Sequence, residues 1–484
     1  MKKTRTRFAP SPTGYMHIGN LRTALFEYLI TKHEKGDFIL RIEDTDQERQ
    51  VEGATDIIYD TLKSVGLNWD EGPDIGGNFG PYIQSERLPM YKQYALDLVE
   101  KGGAHYCFCT PEEIEAQKAE GGFGYVDPCH HLSQEEIQER LERGDSYVIR
   151  QTIDPEGITS FDDEVYGHIE VQKNELDEQI LLKSDGFPTY NFANIIDDHQ
   201  MEISHVVRGN EYLSSTPKYN LIYDAFGWER PIYVHVPPVM KDEHHKLSKR
   251  NGDASFQDLE AKGYLPEAIL NYIALLGWSP QDEQEIYSLE QLIEAFDIKR
   301  ISKNGAIFDI DKLTWMNGMY IRNMDADTFY SKIESILKEG ITKDYDLKRM
   351  AALVQTRVEV IDKEQILELV DFFETIDENY DLEMFRHKRQ KSTPESSLPV
   401  LEEVYKQLSA FDSWDSEEAI HELLLAIPAQ MELKNGVVLW PVRTALSGKA
   451  STPGGAIELA YILGKEESLR RIELAISRLK EVVQ

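Results

Sequence analysis

The stretch 5–45, RTRFAPSPTGYMHIGNLRTALFEYLITKHEKGDFILRIEDT, constrains the fold more than any other. Leu21, Leu25 and Leu29 recur at i, i+4 and i+8, a helical spacing, with Gly36 expected as the C-cap. A turn containing Gly14 and Gly19 precedes this helix, and the apolar run "DFILRI" follows it as a short strand ending in "EDTD". Strand, glycine-containing turn, helix, strand opens a doubly wound parallel sheet, whose ligands lie at the C-terminal ends of the strands. The opening loop and "EDTD" are therefore expected to lie together.

Gly14 and Gly19 have the spacing of the first part of a P-loop, but Asn20 and Leu21 stand where that motif needs Lys and then Ser or Thr. Pro10, Pro12 and Gly14 instead hold an irregular turn before a helix N-terminus, where unbonded N–H groups favour an anion. His17 adds a side-chain donor that can reach a phosphate oxygen. Much later, "HHKLSKRNG" places Lys246 and Lys249 three residues apart with Ser248 between them, an arrangement suited to clamping a triphosphate.

The 484 residues suggest about three domains. Irregular sequence from about Asn78 to Asp185 reads as an insertion splitting the nucleotide fold. It contains a charged helix near "SQEEIQERLERG" and alternating segments such as "SYVIRQTI". "DGFPTYNFANIIDDH" restores strand and helix character, and past Asp325 one helix follows another. Val400, Val404 and Leu408 share one face; so do Leu469, Ile472, Ile476 and Leu479. The expected organisation is a split Rossmann α/β half with an α+β insertion, followed by an all-α half. Its boundaries are 1–77 and 188–250 for the nucleotide fold, 78–187 for the insertion, 251–325 for a helical connecting region and 326–484 for the helical remainder.

No apolar run is long enough to span a membrane, and Met1-Lys2-Lys3 is not followed by the apolar core of a secretory signal. A cytoplasmic protein is the expectation. The net charge of −34 argues against a general polyanion binder. A nucleic-acid partner would dock on local basic patches such as "KLSKR" and "RHKRQK", Arg386 to Lys391.

The cysteines are Cys107, Cys109 and Cys129, too few and odd in number for a disulfide framework. With His131 they form two pairs whose three thiolates and one imidazole fit a closed tetrahedral zinc site; His130 is the alternative to His131.

"HIGN" and "KLSKR" together resemble the paired signatures of class I aminoacyl-tRNA synthetases. "RFAPSPTGYMHIGNLRTAL", "RIEDTD", "WDEGP", "SDGFPTYNFANIIDDH", "HVVRGNEYL", "KLSKRNG" and "GYLPEAILNY" look like the bacterial glutamyl-tRNA synthetase family. The likeness runs from Lys3 to about Ile321 and more loosely to the C-terminus. It implies ATP-dependent ligation of L-glutamate to tRNA(Glu) through a glutamyl-adenylate, releasing AMP and pyrophosphate. Charging of tRNA(Gln) with glutamate is left open. The resemblance implies His17, Lys246 and Lys249 as the catalytic groups. It places Gly14, Gly19, Asn20 and Ser248 beside them on ATP, which brings Mg2+. Asn20 replaces the last His of the motif's oldest form. Arg7 and Arg208 match the family's glutamate-binding arginines, suited to a carboxylate through a planar fork. Ala9, Ser11, Glu43, Tyr190, Asn194 and Tyr212 match other positions around the amino acid. Glu43 would hold the ammonium group, and Tyr212 stands where some relatives carry Trp. The zinc would shape the lobe receiving the tRNA acceptor end, the helical half would bind the anticodon, and a monomer is implied. Gln355, Thr356 and Arg357 lie near where relatives read the anticodon. The alternatives are glutaminyl-tRNA synthetase, whose bacterial forms carry a β-barrel anticodon region, glutamyl-queuosine synthetase, which lacks the helical third, and, from a different class, a small-molecule nucleotidylyltransferase.

Overall fold

The computed structural model describes residues 3–45, 50–119, 127–247 and 255–483. The chain divides into two compact units, Met1–Ala261 with Pro266–Leu313, and Thr314–Gln484 with Lys262–Leu265.

In the first unit β1 (Arg5–Phe8) leads into α1 (Ile18–His33) and back to β2 (Asp37–Leu40), which pairs parallel with β1 from Arg5↔Asp37 to Phe8↔Leu40. Then come α2 (Ala54–Ser64), α3 (Leu88–Glu100), β3 (Ala104–Cys107), α4 (Pro111–Ala119), α5 (Gln134–Arg143), β4 (Val148–Gln151), β5 (Ile158–Asp163), β6 (Gly167–Gln172) and β7 (Ile180–Leu182). The nucleotide fold resumes with α6 (Tyr190–Gln200), β8 (His205–Gly209), α7 (Thr216–Phe226) and β9 (Ile232–Val236). Strands β8 and β9 are parallel, with Arg208 opposite His235. The N–H of Ser204, just before β8, donates to Arg5 O at 2.9 Å, which sets β8 beside β1. The parallel core thus runs β2, β1, β8, β9, as the opening strand-turn-helix-strand pattern requires.

The stretch 78–187 is not one separate lobe. Strands β3, β4 and β7 form their own antiparallel sheet, whereas the β5–β6 hairpin joins β9 through Asp163↔Tyr233. Asp163 is thereby carried into the nucleotide fold.

Helix α1 is buried on nearly every side: Leu21, Leu25 and Leu29 are joined by Ile18, Ala24, Phe26 and Ile30. Beyond β10 (Val239–Met240) and α8 (Phe256–Ala261), helices α9 (Pro266–Ala274) and α10 (Leu289–Ala295) pack against it within the same unit. Each large apolar side chain buried here contributes roughly 1.5–3 kcal/mol. Gly36 does not cap α1 in the expected way. Lys35 takes the left-handed turn at φ 54°, while a Cβ on Gly36 would lie 2.0 Å from Thr4 O. Close backbone approach, not φ, requires glycine there.

After the short β11 (Ala306–Ile307) and α11 (Ile310–Asn323), the second unit is helical: α12 (Ala326–Gly340), α13 (Leu347–Gln355), α14 (Lys363–Glu374), α15 (Pro394–Ser409), α16 (Glu417–Gln430), α17 (Asn435–Ser447) and α18 (Ala456–Val483). Val400, Val404 and Leu408 are buried as expected. On α18 the buried row is Ser468, Arg471, Ile472, Ala475 and Leu479, with Leu469 and Ile476 only half-buried. Gly464 (φ 72°, ψ 177°) kinks the helix, and buried Arg471 donates to Phe372 O and Leu446 O. Gln355 is structural: its amide donates to Ile321 O and Met324 O.

Candidate active site and cysteine cluster

The opening loop lies at the C-terminal end of β1 and turns through Gly14 at φ 111° into α1. Glu43 N donates to Pro10 O at 3.0 Å, so the segment after β2 lies against the loop as expected. His17 is the N-cap of α1. Its Nδ1 accepts from Gly19 N at 3.0 Å, so a neutral ring carries its proton on Nε2. Asn20 is exposed and its N–H bonds to His17 O. Ala9 is half-buried and Ser11 exposed on the same loop.

Lys246 is exposed beyond β10, in an antiparallel bridge with Met240. Ser248 and Lys249 lie outside the described residues. The chain resumes at Ser255, bridged antiparallel to His17, while Phe256 N donates to Met16 O and Gln257 accepts from Met16 N. Ser255, Phe256 and Gln257 are therefore tied directly to the histidine loop.

The two arginines differ. Arg7 is buried and hydrogen-bonded through four of its five N–H groups: Nε and Nη2 hold Asp198 at 2.9 and 3.1 Å, and Nη1 donates to Glu27 at 3.2 Å and to Val207 O. Arg41 joins this network through Asp198 at 2.8 Å and Glu43 at 2.9 Å. Burial opposes ionisation of Asp198, but Arg7 and Arg41 hold its carboxyl below the ordinary value. Burial pushes Glu27 well above the usual carboxylate range and raises Glu43 against the pull of Arg41.

Arg208, at the C-terminal end of β8, is 7% exposed and has no ion pair with an acid among the described residues. It donates from Nε to His235 Nε2 and from Nη2 to Thr216 Oγ1. Its guanidinium lies 4.7, 5.3 and 5.7 Å from the rings of Tyr219, Tyr212 and Tyr233. Tyr190, the first residue of α6, is 37% exposed overall and faces Tyr212 with ring centroids 5.7 Å apart; desolvation of its hydroxyl, with Glu43 nearby, raises it. Asn194, one turn along α6, is buried with Nδ2 unpartnered. A buried cation lined by aromatic faces and lacking a counter-charge is a site built for an anion.

The sequence did not single out Asp163, Thr216, Asp198 or His235. The signals were present: "IIDDH" puts two acids in an apolar helix, and "YVHVPP" puts a histidine in an apolar strand.

Away from this pocket, Cys107 ends β3, Cys109 follows, and Cys129 sits on a turn at 128–131. Their sulfurs and an Asp127 oxygen all lie within 4.8 Å of one another. Sγ of Cys109 and Cys129 are 3.6 Å apart, too far for a disulfide and near the roughly 3.8 Å edge of a tetrahedron with 2.3 Å zinc–sulfur bonds. The three thiols therefore fit zinc. His131 is exposed and is not in this group, and His130 pairs with Glu178 at 2.7 Å. Asp127 stands beside the thiols instead, accepting from Cys129 N at 2.9 Å and pairing with His105 and Arg150 at 3.1 and 3.2 Å. Burial opposes its charge, but His105, Cys107 and the Cys129 N–H hold its carboxyl far below the ordinary value.

Residues 3–315 match the model for tRNA synthetases class I (E and Q), catalytic domain, and residues 328–476 match an anticodon binding domain. Among curated proteins, the glutamate–tRNA ligase of Clostridium botulinum (strain Hall) is 59% identical over 483 residues, 99% of each chain. That of Clostridium tetani is 57% identical over 486 residues, again 99% of each. Among solved structures, a glutamate tRNA ligase from Elizabethkingia meningosepticum, in complex with its amino acid, has a TM-score of 0.88 at 35% identity, covering 99% of this chain and all of that one.

Proposed function

The chain belongs to the glutamate–tRNA ligase family of class I tRNA synthetases, and from that premise we propose that it joins L-glutamate to tRNA(Glu) in two steps at the β1–β8 strand ends. A glutamate α-carboxylate oxygen bonds to the α-phosphorus of ATP as pyrophosphate leaves. The terminal ribose hydroxyl of tRNA then attacks the glutamyl carbonyl and AMP leaves. Neither step needs an enzyme nucleophile; both need positioning and charge stabilisation.

His17 Nε2–H and the α1 N-terminus receive the phosphates at Gly14, Gly19 and Asn20, with Mg2+ accompanying ATP. Lys246, Ser248 and Lys249 complete the charge stabilisation, supported by the attachment of Ser255 to His17. Arg208 reads the side-chain carboxylate. A glutamine amide would present an N–H to a donor and leave it mispaired. Asn194 donates its unpartnered amide, Tyr190 and Tyr212 wall the pocket, and Glu43 takes the ammonium group beside Ala9 and Ser11. Arg7 keeps Asp198 in place beneath them. The observation that carries the reading is the buried Arg208, which has no counter-acid among the described residues.

Cys107, Cys109 and Cys129 would hold a structural zinc, with His131 or Asp127 as the fourth ligand. A closed site of this kind fixes the lobe's shape and leaves no open catalytic position. Metal analysis of His131→Ala and Asp127→Asn separates the two, since the true ligand's variant loses zinc. The second unit, with its anticodon-binding match, is assigned to tRNA, and phosphate contacts from basic runs such as 386–391 would make binding salt-dependent. The chain is assigned to the cytoplasm as a monomer, and among the described residues no helix is long and apolar enough to cross a membrane.

The test is aminoacylation of purified tRNA(Glu) and tRNA(Gln) with glutamate and with glutamine. Glutamyl-tRNA(Glu) is expected. Its absence with both tRNAs would overturn the reading, and glutamyl-tRNA(Gln) would add the second tRNA as a substrate.

A further inference from the structure

Behind Arg208 lies a buried chain of polar groups, none of them assigned to a substrate. His235 on β9 and Thr216 on α7 are both 0% exposed, and Asp163, at the end of β5, is 3% exposed. Asp163 Oδ1 accepts from Val165 N and Tyr166 N at 3.0 and 2.8 Å. Its Oδ2 accepts from His235 N at 3.1 Å and faces His235 Nδ1 at 2.6 Å. A carboxylate accepting three backbone N–H groups has no proton to give, so the proton in the 2.6 Å contact sits on Nδ1. In the neutral ring Nε2 is then an acceptor. Thr216 spends its hydroxyl proton on Tyr212 O at 2.9 Å, so its oxygen accepts from Arg208 Nη2 at 3.2 Å. The donor for His235 Nε2 is Arg208 Nε–H, 3.3 Å away.

We propose that His235, oriented by Asp163, is a positioning residue for substrate recognition: as the neutral Nδ1–H tautomer it holds Arg208 by its Nε–H and leaves the outer edge of the guanidinium to grip the glutamate side-chain carboxylate. This rests on the assignment of Arg208 as the carboxylate reader. With Nε bound to His235 and one Nη2–H bound to Thr216, the two Nη groups keep the parallel pair of hydrogens that a carboxylate matches. The hairpin β5–β6 therefore has a role in the pocket although it contributes no residue to the ligand. Protonated His235 would turn Nε2 into a donor facing the donor of Arg208, and the grip would be lost.

The groups facing His235 agree with a neutral ring. They are Asp163 from β5, Arg208 from β8, Thr216 from α7, the rings of Phe161 and Tyr233, and the charge of Glu211 in the turn after β8. Burial first, and then Arg208, lower its proton affinity below that of an ordinary imidazole, outweighing Asp163. Glutamate recognition is therefore intact at neutral pH and falls off only in acid.

The test is steady-state aminoacylation of tRNA(Glu) by the full chain, with KM and kcat for glutamate and KM for ATP measured across pH. His235→Leu removes the acceptor and is expected to raise the KM for glutamate about tenfold, the scale of one hydrogen bond to a charged group. The kcat and the KM for ATP should stay within about twofold. His235→Gln, which can place an amide oxygen near the Nε2 position, is expected to recover most of the loss and to flatten the acid limb of kcat/KM for glutamate expected of the wild type. If His235→Leu does not fold, the glutamine variant's flattened acid limb alone decides the matter. An unchanged glutamate KM in His235→Leu, or an unchanged acid limb in His235→Gln, would overturn this inference while leaving the ligase reading intact. Wild-type enzyme that charges no glutamate would instead overturn the reading beneath it.

Discussion

Two buried arginines at the ends of β1 and β8 show how differently one sheet can use the same side chain. Under β1 and β2, Arg7 and Arg41 share Asp198 in a closed ionic network with Glu27, while Glu43 at its edge gives only Oε1 to Arg41. Under β8, Arg208 is held by a neutral imidazole and a hydroxyl and ringed by tyrosines. A charge already neutralised by buried acids acts chiefly as scaffold, because most of its N–H groups are spent on those partners. A buried charge held only by neutral groups is costly until an anion arrives, and that cost is what a binding site converts into selectivity.

The largest effect expected concerns the closed network. Asp198→Asn would leave two buried guanidinium groups short of a counter-charge and lower stability by about 3–5 kcal/mol in denaturant unfolding. A loss below about 1 kcal/mol would show that the network is not scaffold. The same linkage has a pH sign. The folded Asp198 carboxyl sits below its ordinary value, so its stabilisation is present above the unfolded pKa and fades as pH falls through the folded one. An acid-unfolding scan should show this limb in wild type and not in Asp198→Asn. Next, His17→Ala removes a donor to developing phosphate charge and should lower kcat about a hundredfold to a thousandfold, the range for one such donor. Losing the α1 cap should cost only about 1 kcal/mol of stability, so a collapse would place His17 with the scaffold. For the cysteine lobe, Cys107→Ser should abolish bound zinc measured by elemental analysis, and equal zinc content would remove Cys107 from the ligand set. Smallest is the capping box at α5: Ser133→Ala should cost about 1 kcal/mol, confined to that lobe in hydrogen exchange.

Local pattern carried much of this architecture. The leucine spacing of α1, the strand before "EDTD" and the helical second unit follow from periods that a side chain imposes on its own neighbourhood. Such patterns do not count partners. Arg7 and Arg208 look equivalent in the sequence, and only the fold brings Asp198 to one and His235 to the other, across separations of 191 and 27 residues. Nor could spacing alone show that Asp127 stands beside the thiols where His131 was expected. Gly36 was correctly marked as special for the wrong reason, because a backbone 32 residues earlier, at Thr4, is what excludes a side chain. Ser248 and Lys249 fall outside the described residues.

The most direct measurement is the glutamate KM in tRNA(Glu) aminoacylation for Arg208→Gln beside Arg7→Gln, each paired with its unfolding free energy. The two arginines should separate. Arg208→Gln should raise the KM about a hundredfold or more, the loss of two hydrogen bonds to a charged group at roughly 1.5–3 kcal/mol each, with stability kept. Arg7→Gln should lose stability first, by about 3–5 kcal/mol. Equal KM increases with equal stability in both variants would contradict the distinction between a neutralised scaffold arginine and an open, substrate-reading one.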